Sequence, residues 1–151
     1  MSLEISQIVF TVVVVCLFLW RISYGTNNGL FAEATGLIAV IASFAAVYYV
    51  MTIAGSVLTQ NFGSIAPKVG YLVAAFLVYS IMTALGGALR KVKEIPILGG
   101  LDRLLGGVLG GIEAAIIIYI VEFITGFDLF GPAIAAWNQL FGYIQKTFIK
   151  N

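Results

Sequence analysis

The 151-residue chain offers few groups able to do chemistry: seven acidic and eight basic side chains, one cysteine and no histidine. Lacking histidine, it lacks the commonest general base and the commonest metal ligand. Glu113 is the most informative acid. It follows Arg103 by ten residues in an otherwise uncharged run, which at 1.5 Å per residue places it roughly 15 Å along a helix, close to mid-bilayer. A charge at that depth costs on the order of 2.5–3.5 kcal/mol, so the carboxyl is protonated, paired or turned towards a wet cavity. Two readings stand side by side: an ion or proton site or a polar contact between subunits, and a carboxyl that holds helices together. Glu122 lies nine residues on, half a rotation away, so the two carboxyls cannot form one acid/base pair or one metal site. Glu122 is expected near the outer interface with Asp128. Glu33 is placed about one turn into a helix, where unpaired backbone N–H groups favour a carboxylate. Arg21 and Arg103 are expected at similar depth, which leaves a buried ion pair open.

Other chemistry is missing. Serines and threonines have no histidine partner, no glycine loop is followed by Lys-Ser/Thr to cradle phosphate, and no Cys/His spacing suits a metal. Cys16 sits inside an apolar run and reads as inert. The expectations are therefore no catalytic residues, no metal, no cofactor and no enzyme activity. A net charge of +1 supplies no basic field for nucleic acid.

The elements that position these groups follow from composition. The chain is 61% hydrophobic and 10% charged, with a mean hydropathy of +1.06. Soluble domains carry about 25% charged residues, so here lipid must replace water over much of the surface. A span takes about 20 apolar residues, and the length allows four or five. Apolar runs cover residues 5–20, 30–58, 69–89 and 104–127. Trp20 at the edge of the first run, and Tyr48 and Tyr49 in the second, suit an interfacial belt. Turns are expected at residues 24–29 and 60–68, where Pro67 suits a helix's first turn. A bent apolar loop is expected at 95–100, because Pro96, Gly99 and Gly100 oppose a regular helix. After Gly131-Pro132 a last helix to about Lys150 groups Ile134, Trp137, Leu140, Phe141, Ile144 and Phe148 on one arc. Gln139, Tyr143, Lys146, Thr147 and Lys150 take the other, the pattern of a helix lying on a membrane or docking on a partner. The expected fold is an all-α integral membrane protein, with about four transmembrane helices in 1–130 and an amphipathic interfacial helix in 131–151.

Gly106 with Gly110 and Gly107 with Gly111 form two overlapping small-xxx-small pairs. Glycine lets helices approach closely in lipid, and Gly106, Gly110 and Glu113 fall within about 60° of one another on the wheel. The seam that packs closely therefore carries the mid-membrane carboxyl, within one chain or between copies. Gly86-Gly87 points to similar crowding in the third span. Five basic residues (Arg21, Arg90, Lys91, Lys93, Arg103) face three (Lys68, Lys146, Lys150) across the membrane. The richer side belongs in the cytoplasm, which places both termini outside it.

The stretch Gly100-Leu-Asp-Arg-Leu-Leu-Gly-Gly-Val-Leu-Gly110 resembles the Asp-Arg-x-x-Gly-x-x-x-Gly opening of a span in the bacterial colicin V production protein (CvpA) family. Asn28-Gly-Leu-Phe-Ala-Glu-Ala-Thr-Gly-Leu-Ile38 resembles the family's glycine, then glutamate-alanine, opening of another, and Thr125-Gly-Phe127 fits a span's end. Glu33, Asp102, Arg103, Gly106 and Gly110 are the matching positions. Ala32 and Glu113 depart from it, since family members often have a basic residue just before the glutamate and another near position 113. The resemblance implies a four-span protein of the bacterial plasma (inner) membrane, linked to toxin production or export and to envelope stress tolerance. Some relatives add a periplasmic serine protease domain, which fits an outward carboxyl terminus. The leading expectation is a non-enzymatic scaffold, a homo-oligomer joined through the Gly106/Gly110 seam, with membrane lipids and a membrane or periplasmic protein as partners. The alternative is a small channel or transporter with a polar path past Glu113.

Overall fold

The computed structural model describes residues 5–92 and 99–148, which fold into five helices and no strand among the described residues. In order these are α1 (Ile5–Asn28), α2 (Leu30–Phe62), α3 (Ile65–Val92), α4 (Gly99–Thr125) and α5 (Phe130–Phe148). The first four are long and apolar enough to cross a membrane. Large apolar side chains cover their outer faces, such as Val13, Ile38, Phe76 and Val108. Such a surface is stable against hydrocarbon and costly against water.

The connections are tighter than composition suggests. The turn expected at 24–29 is helix up to Asn28, and only Gly29 breaks it, at φ 82°, a backbone conformation that needs glycine. Within the last turn the Asn28 side-chain amide donates to the Tyr24 carbonyl at 2.8 Å. The break expected at 60–68 shrinks likewise to Gly63 and Ser64. Lys93, Glu94 and Lys150, and the expected loop as far as residue 98, lie outside the described residues. Gly99 and Gly100, expected to oppose a helix, instead open α4; Gly99 has φ 48° at the boundary, where glycine is suited rather than excluded.

Helix α1 packs along α4, α4 against α2, and α2 along α3, while α1 and α3 stay apart. This order leaves a cleft between α1 and α3. The apolar core of Val40, Val47, Tyr71, Ile120 and Ile124 joins α2, α3 and α4. Helix α5 leans on α1 and has no buried residue.

Candidate functional site

Charged and polar groups from all four spans meet at one place. Arg21 of α1 is 3% exposed, and Glu33 of α2 and Glu113 of α4 are fully buried. Arg21 Nη2 donates to Glu33 Oε2 at 2.8 Å and also to Glu113 Oε2. Tyr79 of α3 donates its hydroxyl to Glu113 Oε1 at 2.9 Å. The Trp20 and Tyr24 rings flank the guanidinium, with centroids 5.6 and 5.1 Å from Cζ, a position that favours a cation.

Glycines make this convergence possible. A Cβ at Gly110 would stand 2.3 Å from the Arg21 carbonyl oxygen, and one at Gly106 would stand 2.3 Å from that of Gly25. Backbone thus meets backbone, and α4 comes close enough to α1 for Arg21 to reach across. On α2, a Cβ at Gly36 would lie 2.5 Å from Glu113 Oε2, so the missing side chain is the space that carboxyl occupies. Gly107 and Gly111 face Thr26 and Ile22 of α1. All four glycines of the predicted seam therefore pack on α1 of the same chain. This corrects the expectation that copies associate through Gly106 and Gly110, because the face is already covered. Gly86 packs on Thr35, but Gly87 faces open space.

The remaining predicted residues serve the helix ends. Asp102 Oδ1 accepts the Leu30 N–H at 3.0 Å, so α4 satisfies a donor that the start of α2 leaves unpaired. Arg103 is exposed and makes no ion pair among the described residues, so of the two candidate partners for Glu33 the structure selects Arg21. Glu122 is half-buried. Its Oε1 accepts the N–H groups of Leu129 and Phe130, each at 2.7 Å. Asp128 accepts the Gly131 N–H at 2.7 Å. These two acids turn the chain from α4 into α5. Lys68 Nζ donates to the Thr125 carbonyl at 3.0 Å, a cation on the negative end of α4.

Sequence reasoning counted Arg21 among the loop charges while leaving open its pairing with Glu33, and overlooked Tyr79 and Gly36. A signal for Arg21 existed: Val14, Arg21 and Gly25 recur at intervals of seven and four, one helical face, and they are the buried residues of α1.

A cavity of about 320 Å³ reaches this cluster between α1, α2 and α3, lined by Tyr24, Asn28, Glu33, Thr83 and Arg90 among others. It lies towards the bundle end that carries the α1–α2 turn. A second cavity of about 310 Å³, almost wholly apolar, continues the α1–α3 cleft on the other side of Arg21 and Tyr79.

Against known proteins, the family model described as "Colicin V production protein" matches residues 10–145. No curated protein matches the chain, and no solved structure does.

Proposed function

The chain belongs to the colicin V production protein family, and from that premise we propose that this multi-pass membrane protein is a non-enzymatic scaffold of the bacterial plasma membrane, supporting toxin production or export, or envelope integrity. The observation that carries the reading is the use made of the charges. Arg21, Glu33 and Glu113 are buried and paired with one another, and Tyr79 brings α3 into the same cluster. These pairs tie the helices that carry them to one another at a single depth, and in this reading they specify which helices meet and in what register. The cluster works as a clamp.

Beyond Glu113 the core is mostly apolar: Ile120 and Ile124 on α4 pack with Val40, Val47 and Tyr71, and the buried Ser43 hydroxyl donates to the Ala39 carbonyl of its own helix. The polar cavity stops at the cluster, and its lining does not include Glu113. The cavity that continues towards the other end is almost wholly apolar in its lining, which supports a scaffold over a conducting path. The scaffold meets further copies or a membrane or periplasmic partner through its outward helix faces, since α1 covers the glycine seam. Helix α5, with no buried residue and with Lys146 in its last turn, lies amphipathically on the outer surface, with both termini outside the cytoplasm.

The second reading, a small channel or transporter, draws on the cavity that opens to Arg21 and Glu33. One reconstitution separates the two. Liposomes holding wild type or Glu113→Gln are assayed for proton and monovalent-ion flux, and the same preparation in nanodiscs is weighed by mass photometry. The scaffold reading expects no flux from either variant and more than one copy per particle. Wild-type flux that disappears in Glu113→Gln overturns it, as does a strictly monomeric particle.

A further inference from the structure

The charged cluster is unbalanced. Two carboxyl groups surround one guanidinium, and none of the three is more than 3% exposed. Full ionisation leaves one negative charge in a medium of low dielectric, where uncompensated charge is expensive. The carboxyls are not equally occupied. Glu113 uses both oxygens, one for Arg21 and one for Tyr79. Glu33 uses Oε2 alone, and its Oε1 is buried with no hydrogen-bond partner. Arg21 Nε is a buried donor without a partner. Both residues line the polar cavity, which is large enough for several water molecules.

We infer that Glu33 is a reversible binding site for a single monovalent cation, a proton or a sodium ion, which reaches Oε1 through this cavity. One positive charge neutralises the cluster, whereas a divalent ion would over-compensate it. Among the described residues no group of three Cys, His, Asp or Glu comes together that could hold a metal ion by side chains alone. The charged and titratable groups around the site are Arg21 and Tyr24 from α1, Tyr79 and Arg90 from α3, and Glu113 from α4. Arg90 is exposed at the end of α3, where solvent screens its repulsion. The cavity has room for water to reach both Arg21 Nε, a donor, and Glu33 Oε1, an acceptor, and along it the cation passes between Glu33 Oε1 and the membrane surface. Binding does not require passage across the membrane, so the site stands whether or not the protein conducts.

The test uses the full chain in nanodiscs and dicyclohexylcarbodiimide, an apolar reagent that adds to protonated carboxyl groups, with the modified residue located by mass spectrometry. Labelling is expected on Glu33 and not on Glu113, and absent in Glu33→Gln. It falls about tenfold for each pH unit above the midpoint of the site. Protection by sodium, with choline as the control, identifies a sodium site; pH dependence without protection identifies a proton site; both outcomes support the inference. Labelling on Glu113, or on neither residue, overturns it. An infrared acid-carbonyl band that is unchanged between about pH 5 and 9, with or without sodium, also overturns it, because the proton would then be fixed. Thermal unfolding of Glu33→Gln verifies that lost labelling reflects the carboxyl and not the fold.

Discussion

At Arg21 the charge arithmetic makes the three members of the cluster unequal. Replacing Arg21 with Met leaves two buried carboxyls facing each other with no cation, and removing one partner of a buried pair costs about 3–5 kcal/mol. Replacing Glu113 with Gln leaves one guanidinium against one carboxylate, and the amide oxygen still accepts from Arg21. The expected cost is below about 1 kcal/mol, the scale of one neutral hydrogen bond. The triple variant Arg21→Met, Glu33→Gln, Glu113→Gln removes every charge and recovers most of the loss, a non-additivity that marks groups acting together. Unfolding in mixed micelles with increasing denaturing detergent measures all three. Equal penalties for Arg21→Met and Glu113→Gln would sink the account. Two members of this site were legible in the sequence, because an acid in an apolar run is conspicuous at Glu113 and the glutamate-alanine motif marked Glu33. Arg21 was legible only as one of two candidate partners for Glu33, since a basic residue beside Trp20 at the end of an oily stretch looks the same whether the helix stops there or continues to Asn28.

For helix pairs the glycines set the contact, and two of them give opposite expectations for the same substitution. Gly110→Ala places a Cβ against the Arg21 carbonyl, which is backbone and cannot swing aside. Helices α1 and α4 are forced apart, the Arg21–Glu113 contact lengthens, and stability falls by about 1–3 kcal/mol, the scale of overpacking. Gly87→Ala meets nothing within 4 Å and gains about 0.5–1 kcal/mol from the lower backbone entropy of alanine in a helix. Thermal melts of the two variants in one detergent decide the matter, and a matching shift in the same direction for both refutes the reading of the seam. The four spans were legible because a long apolar run leaves the backbone no better choice than helix in lipid. Their ends were not. Residues 24–28 read as a turn from glycine and asparagine, yet Gly25 packs on Gly106 inside α1. Composition reports which residues tolerate a turn, and only the neighbouring helix decides which of them makes one.

Across the whole molecule the bundle ends can be told apart by contacts. Asp102 at the start of α4 meets Leu30 at the start of α2, and Lys68 near the start of α3 meets Thr125 at the end of α4. The α1–α2 turn therefore shares an end with the start of α4, and the α2–α3 turn shares the other with the start of α5. In the sequence, Arg90, Lys91, Lys93 and Arg103 fall in and beside the segment that joins α3 to α4, Lys68 falls at the start of α3, and Lys146 and Lys150 fall late in the chain, on the side that the sequence reading assigns to Lys68. Arg21 no longer belongs in this comparison, because a guanidinium held between two carboxyls inside the bundle is not a loop charge. On that sequence count, four against three, the rule that basic loops stay inside predicts the first end in the cytoplasm, by one residue. Such a margin predicts fragile orientation. A carboxyl-terminal alkaline phosphatase fusion should be active and the matching green fluorescent protein fusion dark, which is the readout of an outward terminus. Arg90→Gln with Lys91→Gln reverses the imbalance to two against three, and the fluorescent fusion should then light up in part or all of the population. A wild type that is already fluorescent, or a double variant as dark as wild type, means that something other than loop charge orients the bundle.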